Sequence, residues 1–378
     1  MRFCYEKAFI IRPAEGEVRC HQSCAGTYAV LRLTHRIEMP YATVSGMAHQ
    51  ETTLCVERHP IRPATAAGEV QEYSHLGSST VAYELPDSLR QKDTYSEWGQ
   101  NNQFGGRPDS FLEGPSFDRD GNLWVVNIPF GQILMVTPEG RWTIGAEYDG
   151  NPNGLKIHRD GQIYIADYKN GIMRLDPSNG QVSEHRTRIR TEPFHGCNDL
   201  HFGTNGDLYF TDQGQSDLQR PDGRVFRLTP DNNLECLIDC GVSPNGLVLN
   251  RNENMLFVGM TRACQVWNIP LPPDGGPYYK IGVFQHLSGG PGGPDGMCLD
   301  HDGNLYVTHV GLGIIWVFSP TGIPLYRINS CRGAKMTNLA FGGPDNQSIF
   351  ITESDTGTIL RAEMPHSGRK MYSHTNVP

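Results

Sequence analysis

Six residues with side-chain oxygens recur at one phase of this chain: Glu113, Asn153, Asn198, Asn245, Asp295 and Asn338. Each stands seven residues before a polar turn that opens with Asp or Asn. The turns are Asp120-Gly121-Asn122, Asp160-Gly161-Gln162, Asn205-Gly206-Asp207, Asn252-Glu253-Asn254, Asp302-Gly303-Asn304 and Asp345-Asn346-Gln347. A merely polar loop entry would show Ser, Thr, Lys and Gln as often, and none occupies the phase. Two carboxylates and four amides gathered at one place suit a hard cation. Calcium takes oxygen ligands, charged and neutral, at roughly 2.3–2.6 Å. Zinc would call for His or Cys, and neither stands at this phase. The expected cofactor is therefore one divalent cation, Ca²⁺.

For the six to meet, the elements that carry them must repeat around an axis. Behind the turns come runs of strand length and composition: Leu123-Trp124-Val125-Val126, Ile163-Tyr164-Ile165, Leu208-Tyr209-Phe210-Thr211, Met255-Leu256-Phe257-Val258, Leu305-Tyr306-Val307-Thr308 and Ser348-Ile349-Phe350-Ile351. A third strand often follows, as in Gly131–Val136, Gly171–Leu175 and Gly357–Arg361. The six units start 40 to 50 residues apart, which is the length of a four-stranded propeller blade. One blade cannot cover both of its faces, whereas six in a ring cover each other. The expected fold class is all-β: a six-bladed β-propeller over residues 76–378 with an N-terminal extension over 1–75. Equivalent positions at the start of the innermost strands then line the mouth of a central channel. The alternating Thr80–Leu85 is expected to supply the outer strand of the last blade and so close the ring. Asp167 and Asp212, at the ends of second strands, read as structural partners of turn backbone. Trp124, Trp267 and Trp316 read as blade packing.

Composition agrees with a soluble globular chain. It has 378 residues, 38% of them apolar, with Gly 43 and Pro 26, which signals many tight turns. A net charge of −9 disfavours general binding to nucleic acid or anionic membrane. No apolar run approaches the roughly 20 residues of a membrane helix, and the start lacks a signal peptide's apolar core. The expectation is a cytoplasmic protein. Ten Cys without a CxxC pair read as scattered thiols.

Four local sequences carry a family resemblance: Leu112-Glu113-Gly114-Pro115, Cys197-Asn198-Asp199, Ser243-Pro244-Asn245-Gly246-Leu247 and Pro294-Asp295-Gly296-Met297-Cys298-Leu299-Asp300. In this order and spacing they resemble the SMP-30/gluconolactonase family, over roughly residues 76 to 368. The resemblance implies a six-bladed propeller with a central divalent metal held by Glu113, Asn198, Asn245 and Asp295. It leaves Asn153 and Asn338 as pocket-lining groups that bond substrate or metal-bound water. It also implies a hydrolase that opens a lactone, a cyclic ester, by attack of water on a metal-polarised carbonyl. Ca²⁺ acidifies water only modestly, so a carboxylate should act as general base. Asp295 is the preferred base and Asp199 an orienting group. His195, three residues before Asn198, is a further substrate-binding candidate.

Two other readings stand beside this one: a phosphotriesterase of the same fold, and a non-catalytic propeller that offers its rim to a partner. The first 75 residues depart from the family pattern. They hold a strand-like run, Tyr28–Leu33, and the repeated tetrapeptides Ile11-Arg12-Pro13-Ala14 and Ile61-Arg62-Pro63-Ala64. An added layer, a lid or a homodimer contact are the roles open to this segment.

Overall fold

The computed structural model describes the strands at 7–11, 17–22, 29–32 and 53–54, and then residues 74–272 and 280–375. The chain divides into two compact units, Met1–Gln71 and Glu72–Pro378. In the first, Ala29–Arg32, Glu17–Gln22, Lys7–Ile11 and Thr53–Leu54 form a sheet in that order. The strand expected at Tyr28–Leu33 is thus present as Ala29–Arg32. Arg12-Pro13-Ala14 and the second tetrapeptide lie outside the described residues.

The second unit is a six-bladed β-propeller. The innermost strands are Leu112–Phe117, Pro152–Ile157, Cys197–Phe202, Pro244–Leu249, Gly293–Leu299 and Met336–Gly342. Each blade runs outward from its inner strand through antiparallel neighbours. The second strands match the sequence reading: Leu123–Asn127, Ile163–Asp167, Leu208–Asp212, Met255–Met260, Leu305–Val310 and Ser348–Glu353. β-Branched and aromatic residues fill these strands because each blade is packed on both faces. Val126 and Ile133 of the first blade pack with Leu155 and Ile165 of the second. Phe350 and Ile359 of the sixth pack with Leu123 and Leu134 of the first.

Ring closure follows the expectation. Thr80–Glu84 pairs antiparallel with Thr358–Glu363 as the outer strand of the sixth blade. Just before it, Ser74–Ser78 adds to the fifth blade as a parallel fifth strand beside Pro324–Asn329, which sequence reasoning did not foresee. Covering two blade edges in this way removes unpaired strand backbone.

Hydroxyls stitch the blades together beside the channel. Thr211 Oγ1 donates to Asn245 O at 2.8 Å, Thr261 Oγ1 to Pro294 O at 2.7 Å, Thr308 Oγ1 to Thr337 O at 2.8 Å and Ser354 Oγ to Leu112 O at 2.7 Å. Each bond joins the end of one blade's second strand to the next blade's inner strand. The carbonyls they fix lie at or beside the residues singled out by the sequence phase.

After Glu363 the chain crosses the opposite end of the ring. Arg369 Nη1 donates to Leu249 O and Asn250 O at 3.2 and 2.9 Å. The Tyr372 ring stacks on Phe202 at 5.0 Å, and Arg119 Nε donates to Ser373 O at 2.8 Å. This strap therefore reaches the fourth, third and first blades. No helix among the described residues is long and apolar enough to cross a membrane.

Candidate active site

Counting back from one equivalent inner-strand pair near the end of each inner strand (the last pair in five blades, the last but one in the sixth) gives the register of the channel wall. The anchoring pairs are Phe117 with Leu123, Ile157 with Ile163, Phe202 with Leu208, Leu249 with Leu256, Leu299 with Leu305 and Phe341 with Ile349. Four residues earlier stand Glu113, Asn153, Asn198, Asn245, Asp295 and Thr337. Three residues earlier stand Gly114, Gly154, Asp199, Gly246, Gly296 and Asn338. One residue earlier stand Ser116, Lys156, His201, Val248, Cys298 and Ala340. The six residues of this last layer all line a cavity of about 80 Å³ behind the site, which the C-terminal strap also lines with Arg369, Met371 and Tyr372.

The constant phase read from the sequence thus holds in five blades. In the sixth, Gly342 makes one more pair with Ser348 before the turn, so Asn338 sits one step deeper than its five counterparts. It is the structural equivalent of Asp199. Asp199 N donates to Thr211 Oγ1 and Asn338 N to Thr352 Oγ1, at 3.1 and 3.0 Å. Leu200 N and Leu339 N donate back to the respective side-chain Oδ1, both at 2.8 Å.

This deeper layer is four glycines and two polar side chains, for a steric reason. A Cβ on Gly154 would lie 2.6 Å from Asp199 Cα, and one on Gly296 would lie 2.2 Å from Asn338 Oδ1. Glycine clears the space into which Asp199 and Asn338 are placed. A β-bulge shifts the register between the first and last pairs of every inner strand. It lets consecutive residues, Asn198 and Asp199, both serve the site, where a regular strand would turn one of them away.

All six residues named by the sequence phase are buried, and so is Asp199. Asn338 Nδ2 bridges two carboxylates, donating to Glu113 Oε2 at 2.9 Å and to Asp199 Oδ2 at 3.2 Å. The Gly114 N–H also donates to Glu113 Oε2. Asn245 donates to Asp295, and its own Oδ1 is buried without a partner. Asn198 Nδ2 is held by Gln213 Oε1 at 3.0 Å, and Gln213 Nε2 by Ser243 Oγ at 2.9 Å.

Glu113, Asp199 and Asp295 make a buried, mutually repelling trio. Burial, then the Asp199 charge, pushes the Glu113 carboxyl up to about 8. Burial, then the charges of Glu113 and Asp199, holds Asp295 well above the usual carboxylate range. The cations that act on them, Lys156 on Glu113 and Arg262 on Asp295, are the weakest of the influences named. A buried cluster of negative charge without matching positive charge is costly unless a cation joins it. Among the described residues no three His, Cys, Asp or Glu form a metal site by themselves. A cation here therefore needs amide oxygens too. The orphan Oδ1 of Asn245 is such a donor, and the amide of Asn198 is turned by Gln213 so that its oxygen is left free. Oxygen ligands of mixed charge fit a hard divalent ion.

Other residues fall outside this group. His195 is exposed and pairs with Glu192 Oε1 at 3.2 Å. Asp167 and Asp212 are structural, as expected. Asp167 accepts from Lys169 N and Asn170 N, both at 2.8 Å. Asp212 accepts from Gly196 N at 2.7 Å and pairs with Arg224. Trp124 and Trp316 are buried between blades, and Trp267 is packed there half-buried. Sequence reasoning missed Gln213, Lys156 and the short helix Glu97–Asn102 at the mouth. The four glycines directly after Glu113, Asn153, Asn245 and Asp295, against Asp and Leu in the other two blades, were the readable sign that the site has a second layer.

A sequence profile described as SMP-30/Gluconolactonase/LRE-like region matches residues 111–355. The chain is similar to a protein named lactonase drp35 from Staphylococcus aureus, 33% identical over 306 residues, 76% of this chain and 92% of that one. It is also similar to a gluconolactonase from Zymomonas mobilis, 32% identical over 285 residues, 66% of this chain and 78% of that one. Among solved structures it resembles regucalcin from Agrobacterium tumefaciens, described as a calcium-binding protein. The TM-score is 0.62 at 22% identity, covering 70% of this chain and 94% of that one. A gluconolactonase from Xanthomonas campestris gives 0.60 at 20%, covering 77% and 98%. The two structures bear on the fold.

Proposed function

This chain belongs to the SMP-30/gluconolactonase/LRE-like family, and from that premise we propose that it is a calcium-dependent hydrolase of a lactone. The observation that carries the reading is the buried trio Glu113, Asp199 and Asp295 beside the orphan Asn245 Oδ1. Lactonase and gluconolactonase are also the names of its relatives.

Glu113, Asn198, Asn245 and Asp295 are the residues that would hold the ion. When bound, it supplies the positive charge that polarises the lactone carbonyl and offsets the charge developing on its oxygen. Asp295 takes the proton of the attacking water. The water oxygen bonds to the carbonyl carbon, the ring C–O bond breaks, and the ring oxygen leaves with a proton as a hydroxyl. The product is the open hydroxy acid. Asp199 is the orienting group: Leu200 N–H occupies one of its oxygens and Asn338 Nδ2 the other. Asn338 also holds Glu113, so one amide sets the position of two carboxylates. Asn153, buried at the mouth without a partner among the described residues, offers its amide to the substrate. His195 would act further out, at the rim.

The test is a lactone panel with the purified protein, before and after stripping with EDTA and after calcium is restored. The reading expects hydrolysis that vanishes on stripping and returns with calcium while the fold persists. Rates unchanged by stripping would refute the calcium dependence. No lactone opened at full calcium occupancy would refute the activity.

A further inference from the structure

The helix Glu97–Asn102 belongs to no blade, yet it is firmly placed. Ser96 Oγ caps it by accepting from Gly99 N at 3.1 Å. Trp98 is buried, 4.7 Å from the Phe111 ring. At its end two consecutive side chains reach in different directions. Asn102 Oδ1 accepts from Gln215 Nε2 at 3.1 Å. Gln103 Oε1 accepts from Lys335 Nζ at 3.1 Å.

Those two partners stand on opposite sides of the ring. Gln215 lies on the loop after the second strand of the third blade, two residues beyond Gln213, which holds Asn198. Lys335 directly precedes the inner strand of the sixth blade, three residues before Asn338. In a six-membered ring the third and sixth blades face each other across the axis. Both loops are at the end where the inner strands begin, the end that carries the carboxylates. A segment bonded to both must cross the mouth.

We propose that residues 97–106 form a roof over the channel mouth that limits the size of what enters, with Asn102 and Gln103 as its latches. Both latches are single hydrogen bonds between side chains, exposed in one case and part-buried in the other. Bonds of this kind exchange readily with water, so the roof can lift on the latch side while Trp98 keeps its other end anchored. Phe104 and Gly105, both with positive φ (51° and 80°), form the turn directly after the latches. Gly106 N closes this turn on Gln103 O at 2.8 Å.

Access can be read without catalysis. In an Asn153→Cys variant, alkylation at position 153 is followed by mass spectrometry with iodoacetamide and with a pyrene maleimide. The roof predicts that the small reagent labels readily and the bulky one at least tenfold more slowly, each relative to a free thiol. Adding Asn102→Ala and Gln103→Ala should remove most of that difference. Equal relative rates before the latches are removed would overturn the proposal, and so would an undiminished difference afterwards in a protein of unchanged melting temperature. Should the combined variant fail to fold, Gln215→Ala, which frees one latch from the blade side, gives the same comparison. Resting on the lactonase reading, a second arm compares a bare lactone with one bearing a long alkyl chain. Loss of the latches should raise the ratio of kcat/KM, bulky over small, at least tenfold. An unchanged ratio argues against the roof, whereas hydrolysis of neither lactone argues against the activity and leaves the labelling result to decide the roof.

Discussion

Replacing Glu113 by Gln tests the electrostatics of the site most directly, because it removes charge and little else. The amide keeps an acceptor for Gly114 N–H and Asn338 Nδ2, the two donors that hold Glu113 now. The direction of the effect on the metal-free protein follows from the raised pKa. An acid whose folded-state pKa lies near 8, against an ordinary value of 4.5, keeps its proton in the native state while the unfolded chain has released it. Through that window stability falls as pH rises, by about 1.4 kcal/mol per pH unit for one proton. At pH 7 the accumulated cost is roughly 3 kcal/mol. Gln does not titrate and escapes it. With about 2 °C per kcal/mol for a domain this large, Glu113→Gln in EDTA should melt on the order of 5 °C above the wild type at pH 7, with the gap closing towards pH 5.

Calcium should reverse the order. A cation inverts the local preference and draws the proton off Glu113, so binding near pH 7 should release protons. Calorimetry in buffers of different ionisation enthalpy would detect the release. The wild type should then gain melting temperature with calcium by mass action, whereas Glu113→Gln should gain little, carry less metal and lose most of its lactone hydrolysis. Differential scanning fluorimetry from pH 5 to 8.5, with EDTA and with calcium, reads all of this. A gap between variant and wild type that ignores pH in EDTA would refute the reasoning from burial and repulsion. Unchanged metal content and rate would refute the ligand assignment.

Asp295→Asn keeps an oxygen for the ion but loses the proton acceptor, so activity at saturating calcium should fall by about 10²–10⁴. Asp199→Asn should cost about tenfold, as changes behind a metal site do. If instead the Asp199 variant shows the larger loss and erases the acidic limb of the pH–rate profile, the two roles are exchanged. Deleting residues 1–71 leaves both strands that complete the fifth and sixth blades, so the propeller should still melt cooperatively. Deleting 1–90 removes both strands and should abolish that transition, and its survival near the full-length temperature would refute the closure.

The blades were legible because their turns repeat. Asp-Gly-Asn and its variants announce positive φ, and the runs behind them are too short and too β-branched for helices. The same regularity misplaced one residue. Asp345-Asn346-Gln347 has the look of the other turns, but the extra Gly342–Ser348 pair sets it one residue late, so counting seven back from it reaches Asn338 in the layer behind Glu113. No pattern in the chain marks Lys156 as a channel residue, because a β-bulge resets which alternate positions face the axis. The roof and the C-terminal strap were illegible for a different reason. Their contacts join residues hundreds of positions apart, as between Gln103 and Lys335 or Arg119 and Ser373. Such bonds leave no periodic trace.

The division of labour along the channel explains why the site lies at this depth. Just outside the ring of ligands, neutral hydroxyls join blade to blade, so the frame is rigid without adding charge. Just behind it, four glycines admit only two side chains, and one of these, Asn338, ties Glu113 to Asp199. Three buried carboxylates crowded around an orphan carbonyl are a local inconsistency in the fold, and such points are where function is expected. Methionine in place of Glu113 removes the same charge but leaves Gly114 N–H and Asn338 Nδ2 without their acceptor, so it should stabilise the metal-free protein less than Gln does, as melting in EDTA would show. It should also bind calcium more weakly than the Gln variant, because Gln keeps an oxygen at that place and Met does not; equal calcium affinity of the two variants by calorimetry would refute the assignment of Glu113 as a ligand.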